Sequence, residues 1–267
     1  MSQSDAEPDN REPDNPDSEG AKPLRRQSLE RTLRNNPTNL DAFNELAAIY
    51  RAENRPVEAR KVLKQALDVF PDNVDLLFQY EEAILARSLQ QLREVADLAK
   101  RLDTRETERE LDRATRDWAL RRIEVCRARL QRDDSSSAMH VQLGEAHFDA
   151  EQYDEAMEVL QRVTDRDDVS PMAHLLIGRC QSALGKELDA MASWRRAALR
   201  RGVVAPPAVR MAALKHLIDS ATRLGLTETL TRYQSALSET QTTAVSETLA
   251  ANNLSIEAPT AASPENS

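Results

Sequence analysis

Apolar residues recur at three- and four-residue steps along most of the chain, and short polar turns interrupt them. That spacing predicts a succession of amphipathic helices. Leu24, Leu29 and Leu33 mark a short first helix that ends before Pro37. Phe43, Leu46, Ala47 and Tyr50 mark a second, with Thr38 or Asn39 available as its cap. A turn at Glu53-Asn54-Arg55 leads through Pro56 into a third helix, carried by Ala59, Leu63 and Ala66 and stopped by Pro71. No alternating run bounded by turn residues is present, so no strands are predicted.

Between Asn73 and Asp134 there is neither Gly nor Pro. Phe78, Leu85, Leu89, Leu92, Val95, Ala99 and Leu102 form a nearly unbroken stripe there. Two readings fit residues 74–131: two degenerate short pairs, or a hairpin of long helices turning at Asp103-Thr104. The unbroken stripe favours the long hairpin, with Asp103 as N-cap and Glu106 as its reciprocal partner. Residues 137–170 and 171–202 then read as two clear helical pairs, with Tyr153 and Gly185 at their turns. Gly202 after Arg200-Arg201 suits a left-handed helix stop. Pro207 to Leu224 and Thr227 to Leu237, around Gly225, make a closing pair. Its apolar set is Met211, Leu214, Leu217, Ile218, Leu230 and Leu237.

The pairs are copies of one another. Leu143-Gly144, Ala156, Leu160 and Val163 are followed 34 positions later by Ile177-Gly178, Ala190, Trp194 and Ala197. An earlier copy reads Leu46-Ala47, Ala59, Leu63, Ala66 and Pro71. A fixed period of this size marks stacked helix-turn-helix units, each borrowing its neighbour's apolar face. The small residues answer a need for close approach, since helices packed at roughly 8–10 Å cannot carry bulky side chains on both sides of a contact. On these residues the chain resembles the tetratricopeptide-repeat family. The resemblance implies an all-α fold: a right-handed superhelix of helical hairpins over residues 23–237, with repeats at 38–71, 137–170 and 171–202, the atypical helices at 74–131 and the closing pair at 207–237.

The net charge of -9 divides unevenly. Residues 1–20 carry -6, residues 238–267 carry -4, and the intervening body is close to neutral at +1. A nucleic-acid binder normally has a basic body, because phosphate neutralisation supplies most of its affinity, so no nucleic-acid partner is expected. Residues 1–22 and 238–267 are polar and poor in large apolar groups, and are expected to be disordered tails. The acidic start is the reverse of a secretory signal, no run is long enough to span a bilayer, and Cys126 and Cys180 read as small buried hydrophobes. A cytoplasmic protein is expected.

Catalytic patterns are absent from the sequence: no nucleophile turn, no phosphate loop and no His-Glu-x-x-His. His140 and His174 occupy equivalent places in successive repeats, roughly one helix spacing apart, whereas two ligands of one zinc lie within about 4 Å. They read as packing histidines, and no enzyme activity, cofactor or metal is expected. Arg195, Arg196, Arg200 and Arg201 suit contact with an acidic partner or a phosphate, but read first as a solvated helix end whose cations oppose backbone carbonyls. Likewise the Trp118 region reads as an amphipathic helix with Arg stems over apolar neighbours.

In the resembling family the first helix of each pair lines a concave groove. Carried onto this sequence, the groove positions are Asn44, Ala48 and Arg51, then Val141, Glu145 and Phe148, then Leu175, Arg179 and Ser182. The expected function is a non-catalytic scaffold that holds a protein or peptide partner there. Val141, Phe148 and Leu175 would supply apolar burial, and Glu145 and Arg179 would set orientation. With no Lys at these places and Glu145 among them, capture of a terminal carboxylate is not expected. The alternative is a self-assembling structural protein, a possible homo-oligomer, whose groove is filled by its own C-terminal helices.

Overall fold

The computed structural model describes residues 17–200 and 202–256. The outer parts of the expected tails, 1–16 and 257–267, lie outside the described residues, as does Arg201. All regular structure among the described residues is helical, and it divides into two compact units, residues 1–101 and 102–267.

The first unit contains α1 (Asp17–Asn35), α2 (Leu40–Ala52), α3 (Pro56–Val69) and α4 (Val74–Leu102). Asn39 is the cap of α2, its side chain accepting from the amide of Ala42 at 3.0 Å. Asn54 takes the left-handed backbone (φ 54) that reverses the chain, and Pro56 opens α3. Ala47 of α2 meets Ala59, Leu63 and Ala66 of α3, and all four are fully buried. Short side chains let the two axes close until no solvent reaches the seam. Helix α1 does cover α2: Leu29 is buried in the same core, Arg25 forks both oxygens of Glu45 at 2.6 Å, and the Tyr50 hydroxyl donates to Glu30 at 2.9 Å. Its backbone starts at Asp17, seven residues before the expected Leu24, with Pro23 inside it.

Residues 74–131 form two long helices, as the unbroken stripe favoured. Helix α4 has 29 residues and α5 (Arg105–Arg132) has 28. The expected cap is displaced by one residue. Asp103 adopts a left-handed backbone (φ 47), so Thr104 becomes the N-cap and Thr107 its reciprocal partner, in place of Asp103 and Glu106.

The second unit runs from α5 through α6 (Ser137–Asp149), α7 (Tyr153–Gln161), α8 (Ser170–Ala183), α9 (Glu187–Leu199), α10 (Pro207–Arg223) and α11 (Thr227–Ile256). Each helix packs on the next, and the first helices touch in order, α6 on α8 and α8 on α10. Glu151, Gly185 and Gly225 hold the left-handed position in the three hairpin turns, with φ of 61, 74 and 68. Helix α9 leaves through Arg200 in an extended conformation (φ -68, ψ 122), two residues before the expected stop at Gly202. Helix α11 continues to Ile256, into the expected C-terminal tail. The Thr and Ser residues that suggested coil bond back along the helix. Thr240, Thr242, Thr243 and Ser246 each donate to the carbonyl four residues earlier at 2.7–3.0 Å.

Helix α10 stands beside α9 and touches α8 in the way α8 stands beside α7 and touches α6, so it adds another layer. Its apolar face joins Trp194, Leu214, Leu217 and Tyr233 in one core.

Closest packing occurs at the two glycines. A Cβ on Gly144 would fall on the Leu160 side chain, 2.6 Å from Cδ2, and one on Gly178 would fall on the Trp194 indole, 2.5 Å from Cδ1. Trp194 cannot retreat, because its Nε1 donates to the Leu175 carbonyl at 3.2 Å and only 1% of its surface is exposed. Gly178→Ala is therefore expected to lower stability by about 2 kcal/mol despite alanine's better helix propensity. Gly202→Ala, with nothing within 4 Å of the added atom, should change it by less than about 0.5 kcal/mol. Urea unfolding of both variants checks this; equal midpoints would remove the tight seam as the explanation.

Candidate partner-binding surface

The nine groove positions divide between the two units. In the first, Asn44, Ala48 and Arg51 lie on α2, and Gln79 of α4 ties two of them together. Its Nε2 donates to Asn44 Oδ1 at 3.2 Å, and its Oε1 accepts from Arg51 Nη2 at 3.1 Å. Ala48 is exposed between them. The bridge fixes Asn44 and Arg51 as a polar shelf in one arrangement, where two long side chains would otherwise sample many.

In the second unit the structure brings α6 and α8 positions together at Phe148 and Arg179. The Arg179 guanidinium lies 4.2 Å from the Phe148 ring centroid, and Tyr153 tilts against the other part of that ring, centroids 5.5 Å apart. All three are half-buried. This is a cation on an aromatic face with apolar support, an arrangement worth about 0.5–2 kcal/mol depending on desolvation. Arg179 is half-buried, with its guanidinium over the Phe148 ring.

Glu145 is not a free orienting charge. Arg122 of α5 donates to Glu145 at 2.9 Å and to Asp149 at 2.6 Å, with its own side chain 16% exposed. Burial holds the Asp149 carboxyl above its ordinary value, and Arg122 only partly offsets that. Leu175 is buried in the α9–α10 core, so it cannot offer apolar surface to a partner, contrary to the expectation for it. Position 175 faces the next layer because α10 is present to cover it. Val141 is half-buried against Leu160 and Leu176. Ser182 donates to Glu187 at 3.4 Å; the same carboxylate accepts from Ser220 and, at 2.6 Å, from Arg223.

Sequence reasoning missed the neighbours of these positions: Gln79 in the first unit, and Arg122, Tyr153 and Glu187 in the second. Arg122 and Gln79 lie on the two long helices, where the 34-residue register is lost, so no repeat position pointed to them. Tyr153 and Glu187 begin second helices at equivalent places, 34 positions apart, outside the first-helix positions that the family resemblance supplied. His216 of α10 stacks on Trp194 with ring centroids 4.7 Å apart. Cys180 is fully buried and its thiol is pushed up to about 11, which makes it a packing group. Among the described residues, no three His, Cys, Asp or Glu side chains are arranged to hold a metal, and no helix is long and apolar enough to cross a membrane.

Family models described as the tetratricopeptide repeat match residues 40–83 and 141–216. No curated protein matches the chain by sequence. Among solved structures, the MamA crystal structure is 13% identical with a TM-score of 0.35, the match covering 86% of this chain and 94% of that one. PilW, described as a widely conserved type IV pilus biogenesis factor, is 18% identical with a TM-score of 0.40, over 84% and 93%. The human IFIT1 dimer with m7Gppp-AAAA is 17% identical with a TM-score of 0.46, over 85% of this chain and 52% of that one. Nothing about partners follows from likenesses at that level.

Three histidines in the second unit are held below their ordinary value of 6.5: His147, His174 and His216, in each case first by burial. Below pH 6.5 the unfolded chain takes up protons that the folded chain resists, so this part of the stability is present above 6.5 and is lost as pH falls toward the depressed values. Urea midpoints are expected to drop between pH 7.5 and 5.5, and His147→Gln should shrink the drop. A difference of the same size in that variant would exclude His147 as a contributor.

Proposed function

We propose that this chain, in which tetratricopeptide repeats are matched over residues 40–83 and 141–216, is a non-catalytic docking module for a protein or peptide partner. The single observation that carries this reading is the ledge made by Phe148 and Arg179 across α6 and α8. An aromatic edge beside a guanidinium accepts an apolar side chain and a nearby carboxylate or carbonyl of the same peptide. Asp149 and Glu145, both engaged by Arg122, border the ledge and disfavour a partner that presents acids on that side. In the first unit the Asn44–Gln79–Arg51 shelf offers amide and guanidinium donors suited to a peptide backbone.

The structure changes which variants test this. A charge at Leu175 would break the core, whereas Phe148 and Arg179 are open enough to replace. Phe148→Ala with Arg179→Ala is expected to leave helicity intact and to weaken capture of the native partner at least tenfold, since removing a paired aromatic and arginine anchor costs about 2 kcal/mol or more. Quantitative affinity purification of wild type and variant from the native cell reads this out. Identical recovery of every specific partner by a folded variant would sink the ledge as the docking surface.

A further inference from the structure

A second constellation recurs at the 34-residue step, away from the ledge. Ser136, His140, Arg162 and Arg166 in one repeat correspond to Ser170, His174, Arg196 and Arg200 in the next. In the later copy, α8 and α9 are the antiparallel arms of one hairpin. Arg200 Nη1 donates to Ser170 Oγ at 3.3 Å, which sets their register. One turn further along α8 is His174, and one turn back along α9 is Arg196, each about 6 Å from the Ser170–Arg200 contact. Four side chains of the same kind therefore share one patch: two guanidinium groups, an imidazole and a hydroxyl already committed to the Thr164 carbonyl at 2.8 Å.

The two copies differ in how their charge is compensated. In the earlier copy His140 Nε2 lies 3.2 Å from Asp134, and Arg162 donates to Glu158 at 3.2 Å. Both His140 and Arg162 line a cleft of about 320 Å³ that also contains Glu155 and Glu158. In the later copy Ala192 stands where Glu158 does, and Asp168, the counterpart of Asp134, makes no bond to His174. Arg196 has no ion pair among the described residues. His174 is more than nine-tenths buried, and its Nδ1 meets no hydrogen-bond partner. A buried nitrogen without an acceptor disfavours an N–H there, which favours the Nε2–H tautomer, in which the imidazole is a donor. Burial first, then the nearby Arg196 and Arg200, holds the ring below its ordinary value. The helix itself contributes little, because Pro171 has no N–H and the Ser170 amide is bonded to the Arg166 carbonyl at 2.7 Å.

We infer that His174, Arg196 and Arg200 form a binding site for a phosphate monoester, with Ser170 positioning Arg200. The patch presents donors and no carboxylate, and two guanidinium forks match the charge of about -1.5 to -2 and the three acceptor oxygens of such a group. A singly charged carboxylate would leave one fork uncompensated. The earlier copy cannot act in this way, since Asp134 and Glu158 already occupy the positions an anion would take.

Chemical-shift titration of the full chain with inorganic phosphate, N-acetyl-phosphoserine amide and N-acetyl-serine amide, at constant ionic strength, tests the assignment. Saturable shifts at His174 and its neighbours are expected with a phosphorylated probe and not with the serine probe. Binding by both phosphorylated probes marks recognition of the free oxyanion; binding by phosphoserine alone marks a phosphorylated peptide segment. Arg196→Gln with Arg200→Gln should weaken binding at least tenfold, and so should Ala192→Glu, which restores the earlier copy's internal acid at a partly exposed position. Arg162→Gln should leave it unchanged. Absence of saturable binding, or equal loss on changing Arg162, overturns the site.

Discussion

The structure depends on the contact between a glycine on the first helix of a pair and a large side chain on the second. At Gly144 the Leu160 side chain, and at Gly178 the Trp194 indole, occupy the volume that any Cβ would need. The pair thus closes with a bulky group seated on bare backbone, and burial of that group supplies the apolar contact which two shorter side chains could not. In the first unit the same seam is built from Ala47 against Ala59 and Leu63. Because each unit exposes an apolar face that only the next unit covers, the seam propagates from α6 to α11 within the second unit.

That dependence sets what is left for recognition. Positions that pack between layers, such as Leu175, are lost to a partner as soon as another pair is added. What remains are polar and aromatic groups one helical step aside, held by neighbours: Phe148 by Arg179 and Tyr153, Glu145 by Arg122, Asn44 by Gln79. Preorganised groups of this kind lose little side-chain entropy on docking, so modest contact area can yield useful affinity. The repeat design also explains how one copy of a set can be neutral and the next charged. Position 192 differs from position 158 by a single carboxylate, on the same scaffold.

Local departures from the repeat have local causes. Glu151 takes a left-handed turn position that Gly185 fills in the following pair, a conformation that costs a non-glycine residue roughly 1 kcal/mol or more. The turn persists because Tyr153 and Gln152 are fixed beside it, the first against Phe148 and the second by His147 at 2.7 Å. On α11 the hydroxyls of Thr240, Thr242, Thr243 and Ser246 each donate to a carbonyl one turn back, a bond compatible with the helix.

Helix positions, the paired architecture and the buried small residues were legible in the sequence, because 3.6-residue periodicity and a 34-residue step are written in residue identity alone. The two long helices were legible for the same reason, from an apolar stripe without a breaker. Tertiary structure alone decided that Leu175 is core, that Glu145 is already paired, and that Thr104 rather than Asp103 caps α5. Each of these turns on which neighbour lies within a few ångströms across a helix boundary, or on the sign of one backbone angle. Such relations depend on distances between residues far apart in the chain, and residue order does not contain them.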